Sequence, residues 1–262
     1  MAVISLFAFY ILIVNATRAH ADIQKGFSFL PGTRLIANFK TMLEDKAVTP
    51  IMTGLINSLF VSGCTALICC YFSTLTAFAI YAYDFRFKKA ANTFIMVIMV
   101  IPTQVSVSGF VQLVFSMKLN DSFIPLIIPA IASPVVFFFM RQYMESNLPL
   151  EIAEASRIDG AHEFYTFNRI VIPIMKPALA VQAIITFVGS WNNYFVPALI
   201  LESNSKKTVP IVIAALRSAD FVKFNMGQLY MTIATSILPI VIVYLLLSKY
   251  IVGGVAMGSV KG

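Results

Sequence analysis

Six long stretches of this chain contain no Asp, Glu, Lys or Arg: residues 1–17, 47–83, 90–117, 122–140, 177–201 and 224–248. A helix needs about 20 apolar residues to cross a hydrocarbon core of ~30 Å, and only helices and closed barrels satisfy every backbone N–H and C=O there. Five stretches pass that test and the first is short. Composition points the same way, with 59% hydrophobic and 12% charged residues against roughly one quarter charged in a soluble domain. The expectation is an all-α integral membrane protein, a single domain over residues 1–262 with six transmembrane helices. The opening stretch has a second reading as a secretory signal, since "ATRAHA" ends in an Ala-x-Ala pattern at Ala19 and Ala21. The absence of a basic lead before the apolar run favours a short first span.

Several function classes lose their footing. Cys64, Cys69 and Cys70 lie in one apolar stretch with no histidine nearby, so they read as small apolar residues and not as metal ligands. No phosphate-cradling G-x-x-x-x-G-K-[ST] loop, G-x-S-x-G elbow or H-E-x-x-H pair occurs, and His20 and His162 stand far apart. The chain is therefore expected not to be an enzyme, and to bind no metal or cofactor itself. Carriers driven by protons or sodium usually keep an ionisable group at membrane depth. None of the six stretches holds an Asp or Glu, so an ion-coupled or passive sugar carrier is the alternative and a motor in another subunit the main expectation. The net charge of +7 is spread along the chain, which suits anionic lipid headgroups and gives no reason to expect nucleic acid.

Between the fourth and fifth stretches lies a charged interlude, residues 145–177. Pro149 suits the first turn of a helix that runs until Gly160 interrupts it. At 100° per residue Glu151, Glu154 and Arg157 share one arc, while Ile152, Ala153, Ala155 and Ser156 share the opposite one. That small-residue side permits close approach to a neighbouring surface. Asp159 and Gly160 make a turn, with Gly160 supplying the positive φ a reversal needs. A second segment then places Phe164, Phe167 and Val171 on a stripe before Pro173 closes it. The residues thus encode a two-helix hairpin, either docking on a partner or lying passively on the membrane.

The spacing Glu154-Ala155-Ser156, three residues, Gly160, nine residues, Ile170, one residue, Ile172-Pro173 resembles the "EAA" signature of membrane subunits of ATP-binding-cassette importers. Ser156 stands where the signature has a second alanine, and Ile172 where it has leucine. "NSLFVS" (57–62), "VIP" (100–102), "FFFMRQYM" (137–144), "SWNNYFVPALIL" (190–201) and the end from Leu238 are similar to carbohydrate-uptake permeases, the second, six-span permease of maltose-type systems above all.

The resemblance implies that the hairpin between helices 4 and 5 is a cytoplasmic coupling helix seated in a groove of an ATPase. Glu151, Glu154, Ala155, Ser156, Asp159, Gly160, Ile170 and Pro173 would be its coupling residues, with Asp159 capping the second helix. Implied partners are a homologous second permease, two copies of the ATPase, which use ATP and Mg, and an extracytoplasmic solute-binding protein. Both termini would be cytoplasmic in a bacterial or archaeal cytoplasmic membrane. Lys and Arg then divide 9 inside against 10 outside, so the positive-inside rule alone does not orient the chain. Residues 18–46 and 202–227 would face outward. The second of these, with Arg217, Asp220 and Lys223, reads as an interfacial helix, as a contact for the binding protein, or as both. The tail 249–262, flexible through its glycines, would reach the ATPase or simply fray.

Two polar clusters lie within apolar stretches. Gln104, Ser108 and Gln112 recur every fourth residue on one face, with Ser106 nearby, and Trp191, Asn192, Asn193 and Tyr194 are consecutive. Such groups line pathways or bond helices together, and the expectation is a translocation pathway. The resemblance puts the principal sugar site in the partner permease, so this chain would wall the channel.

Overall fold

The structure, a computed structural model, describes residues 2–45, 49–218 and 224–258. Every regular element among them is helical. Three helices are long and apolar enough to cross a bilayer alone: Ile51–Ala82, Ile124–Asn147 and Met226–Ile251. Two more candidates are bent pairs, Lys88–Met99 with Gln104–Ser116 at 100° and Glu163–Ile174 with Lys176–Trp191 at 80°. The opening helix Ala2–Ala16 is 15 residues long, about 22 Å at 1.5 Å per residue and short of a ~30 Å core. Length and composition therefore give up to five spans among the described residues and one short apolar helix, where six continuous spans were expected.

Proline makes the breaks. The stretch 90–117 divides at Pro102, which takes an extended backbone (φ −62°, ψ 123°) ahead of the helix Thr103–Ser116. It has no N–H to donate and biases Ile101 away from helix. The stretch 177–201 divides into Lys176–Trp191 and Phe195–Ile200, because Pro197 lacks the N–H that would bond the Asn193 carbonyl in a continuous helix. Pro239 is tolerated inside the last helix, which runs from Met226 to Gly258. The tail expected to be flexible from Lys249 is thus helical through Gly258; Lys261 lies outside the described residues, as do Asp220 and Lys223.

The chain separates into two compact units, Met1–Phe60 with Asn120–Ser122 and Trp191–Ile242, and Val61–Leu119 with Phe123–Ser190 and Val243–Gly262. Polar ties are prominent in the first. Arg18, buried, donates to the Asn15 side chain (3.1 Å) and the Gly26 carbonyl (3.0 Å). Asn38 donates to the carbonyls of Ala16 and Arg18 at 2.8 and 2.9 Å. Gly227 packs so close to this knot that a Cβ would lie 2.7 Å from the Asn38 amide. Asn57 donates to the carbonyls of Ser205 and Lys207, both at 2.9 Å, and Ser58 accepts the Val209 N–H at 2.9 Å. The "NSLFVS" stretch thereby fastens the segment that follows Leu201. That segment holds the helix Val209–Arg217, with Val209 and Val212 buried.

The second unit is built on an apolar core. Cys69, Cys70, Phe78, Phe137, Met140, Met144, Phe167, Val171 and Met175 pack together, the last seven each at most 3% exposed. Cys69 and Cys70 are free thiols and serve as core residues. Phe167 meets Tyr71 edge-on at 5.5 Å and lies 5.9 Å from Phe78, so the charged interlude is rooted in the same core as the long helix Ile51–Ala82.

Candidate functional site

The interlude folds into the hairpin its sequence encodes. Pro149 is the N-cap of the helix Leu150–Ile158, one place before the first turn where it was expected. Gly160 adopts φ +78°; its N–H donates to the Arg157 carbonyl, and the Ala161 N–H to the Ser156 carbonyl, both at 3.0 Å. These are the paired bonds of a glycine-terminated helix end. Asp159 is the C-cap of this first helix. It does not cap the second: that helix begins at Glu163 behind His162, with no side-chain cap. A π-turn over Phe167–Val171 carries the second helix through Pro173 to Ile174. Pro173 therefore sits inside the element it was expected to close, and the wider turn absorbs its missing donor.

Three tyrosines, two on the second half of the long helix and Tyr83 just after it, hold the hairpin. Tyr71 donates to the Asn168 side chain (3.2 Å) and Tyr81 to the Leu148 carbonyl (2.9 Å). Tyr83 donates to the Glu163 carboxylate, which also accepts from Arg157 Nε at 2.9 Å. The Arg157 guanidinium in turn lies 4.6 Å from the Tyr83 ring centre. The hydrogen bond from Tyr83, then Arg157, holds the Glu163 carboxyl below its usual value, while burial and Glu163 push the Tyr83 hydroxyl up. Glu163 stays ionised and ties both hairpin helices to one post. Tyr81, Tyr83 and Glu163 escaped the sequence reading, and Arg157 entered it only as part of the charged arc; an arginine and a glutamate flanking Gly160 was the only local sign.

The burial pattern corrects the expected docking face. Ala153 and Ser156, assigned to it from periodicity, are buried within this chain at 2% and 6% exposure, and the Ser156 and Thr166 hydroxyls bond at 2.7 Å. The outward face carries Glu151, Ile152, Glu154, Ala155 and Ile158, with Ile158 87% exposed. Of the stripe on the second segment, Phe167 and Val171 are buried and Phe164 is exposed. Ile170 is half-buried and Pro173 exposed. A charged and apolar surface thus stands on a rigid root.

The polar clusters fall in different units. Gln104, Ser108 and Gln112 do share an exposed face of one helix, with Ser106 also exposed. In the first unit, Trp191, Asn192 and Tyr194 line a cavity of about 610 Å³ together with Arg217, Ser218 and Ser236. Asn193 is exposed beside it and is not among the lining residues. The break between Trp191 and Phe195 takes Asn192, Asn193 and Tyr194 out of a helical register. An aromatic wall with an amide, hydroxyls and a guanidinium offers stacking and hydrogen bonds to a polar solute.

Comparison with known proteins adds an independent line. A family profile described as "Binding-protein-dependent transport system inner membrane component" matches residues 71–256. The chain is 30% identical to the arabinooligosaccharides transport system permease protein AraQ of Halalkalibacterium halodurans, over 100% of this chain and 93% of that protein. It is 29% identical to the sn-glycerol-3-phosphate transport system permease protein UgpE of Salmonella typhimurium, over 95% and 90% of the two chains. Among solved structures, one chain of a bacterial ABC transporter involved in import of the acidic polysaccharide alginate superposes with a TM-score of 0.82 at 22% identity, covering 95% of this chain and 91% of that one. That likeness extends to the fold.

Proposed function

The chain belongs to the family of binding-protein-dependent transport system inner membrane components, multi-pass proteins of the cytoplasmic membrane, and from that premise we propose that it is the permease of a sugar importer whose motor is a separate ATPase. The observation that carries this reading is the hairpin of residues 149–174, which turns Ile152, Ala155 and Ile158 outward while Phe167 and Val171 anchor it in the core. Exposed apolar side chains on an anchored hairpin suit another protein better than water.

On this reading the ATPase grips the outward face, Gly160 and the tie among Tyr83, Arg157 and Glu163 keep the hairpin rigid, and closure of the ATPase moves the helices rooted beside it. Movement then alternates access to a pathway walled in part by Trp191, Asn192, Asn193 and Tyr194 and by Gln104, Ser108 and Gln112. A second, homologous permease completes the pathway, two copies of the ATPase use ATP and Mg, and an extracytoplasmic binding protein delivers the solute. The hairpin, both termini and the tail face the cytoplasm, and residues 18–46 and 202–227 face outward. Arabino-oligosaccharide and related permeases among the relatives support a carbohydrate cargo.

Reconstitution with the partner subunits tests this. Sugar-loaded binding protein is expected to stimulate ATP hydrolysis, and Gly160→Pro to abolish the stimulation, because proline forbids φ +78° and removes the N–H that closes the turn. Sugar uptake by the chain alone, indifferent to ATP, contradicts the reading and favours a secondary carrier.

A further inference from the structure

A groove of about 310 Å³ opens in the second unit where Ile51–Ala82, Lys176–Trp191 and the later part of the last helix come together. Ala66, Leu67, Ala180, Ala183 and Leu247 form its apolar walls, and its polar groups are Tyr71, Lys176 and Tyr250. The Tyr71 hydroxyl is already engaged with Asn168, so the groove offers little to a sugar.

The sequence fixes the depth of this groove. Lys176 immediately precedes the charge-free stretch 177–201, and Lys249 immediately follows the stretch 224–248. Each lysine marks a boundary of the hydrocarbon, and the groove brings Lys176 and Tyr250 to the same one. Ile51–Ala82 has 32 residues, about 48 Å against a ~30 Å core. Its final turns therefore emerge from the membrane. Tyr71, about 16 Å before the end of that helix, sits at the boundary with Tyr250, the level at which tyrosine collects in membrane proteins. Lys249 stacks over the Tyr250 ring at 5.1 Å. The Lys176 side chain makes no hydrogen bond or ion pair among the described residues, and the residue is exposed.

An apolar trough at membrane depth accepts an acyl chain, and an unpaired ammonium at its mouth chooses the headgroup. We infer that the groove binds one anionic phospholipid, its chain along Ala66, Ala180, Ala183 and Leu247 and its phosphate at Lys176, with Lys249 adding to the field. A basic pocket between helices at the membrane surface is a recognised means of holding such headgroups. The lipid would brace the helix Lys176–Trp191 directly beyond the hairpin. This inference rests on the membrane placement of the chain and not on its cargo.

Native mass spectrometry of the purified full chain, titrated with phosphatidylglycerol or phosphatidylcholine, tests it. One phosphatidylglycerol should be retained in preference to phosphatidylcholine. Lys176→Gln should reduce that preference about five-fold, the factor one basic residue contributes near an anionic surface, and Lys176→Arg should keep it. Ala183→Trp, which fills the trough, should remove one bound lipid of either kind. Equal retention of both lipids by the unaltered chain, or an unchanged lipid count in Ala183→Trp, overturns the proposal. So does loss of the bound lipid when the second permease is added, because the groove is then a protein interface. None of these outcomes depends on transport, so failure here is distinguishable from failure of the importer reading.

Discussion

Two loops of this protein are each held by one carboxylate, and they are built in opposite senses. In the first unit Asp121, at φ +53°, accepts the backbone N–H groups of Glu202 and Ser203 at 3.1 and 3.0 Å, the Ser203 hydroxyl at 2.5 Å and Lys206 Nζ at 3.2 Å. Two backbone N–H groups, a hydroxyl and an ammonium saturate it, and they tie the turn at Asp121 to the distant segment 202–206. In the second unit Glu163 is held by side chains alone, Tyr83 and Arg157, and the hairpin it steadies turns Ile158 and Phe164 to the outside. A carboxylate spent on the backbone of a second loop fixes a connection between the two. One spent on side chains from a neighbouring element positions a surface and leaves that surface free for a partner.

The root of the hairpin should respond most strongly. Phe167→Ala removes a side chain 1% exposed and touching Tyr71 and Phe78, and should cost about 3–5 kcal/mol, read in thermal or denaturant unfolding. If it costs no more than a surface change, the hairpin is not rooted in the core and the contrast fails.

The tie at Asp121 should come next. Asp121→Ala deprives two backbone N–H groups, a hydroxyl and Lys206 of their acceptor, a loss of about 2 kcal/mol by the scale of hydrogen bonds to charged groups. The Ser203 hydroxyl above all, then the backbone donors and Lys206, lower the Asp121 carboxyl from its ordinary 3.8 to about 2. A depressed folded pKa means that the stabilisation is complete above about pH 4 and disappears as pH falls through about 2. Unfolding followed against pH should show this acid-side loss in the unaltered protein and not in Asp121→Asn.

Glu163→Gln should have the smallest effect on stability, about 1 kcal/mol, since Arg157 and Glu163 are 34% and 50% exposed and solvent screens them. Its effect on coupling should be larger than its effect on melting, because the substitution loosens an angle without emptying the core. Sugar-stimulated ATP hydrolysis should fall while the thermal midpoint drops by only about 2–4 °C. Equal losses in both would make Glu163 a stability residue like Asp121.

How much of this was legible beforehand follows from what each signal encodes. The charge-free stretches placed the membrane elements, because an ion in hydrocarbon is costly wherever it lies. Gly160 was legible as a reversal, and its positive φ is what the structure has. Pro102 and Pro197 stood in plain sight, but a proline announces a missing donor and not a bend of 100°, which depends on the packing around it. Periodicity grouped Ala153 and Ser156 on one face correctly and assigned that face outward. A helical wheel has no means of telling a surface packed on its own chain from one offered to another protein. The ties of Glu163 to Tyr83 and of Asp121 to Ser203 join residues 80 and 82 positions apart, beyond any local pattern.

The outward face of the hairpin is tested most directly by a photoreactive side chain placed at Ile158 in the assembled complex, with Ile36 as the control. The two positions are almost equally open, 87% and 81% exposed, so differences in labelling report partners and not accessibility. The expected result is a crosslink from Ile158 to the ATPase subunit and none from Ile36. A crosslink from Ile158 to lipid alone, or equal labelling of the ATPase from both positions, contradicts the role given to the hairpin.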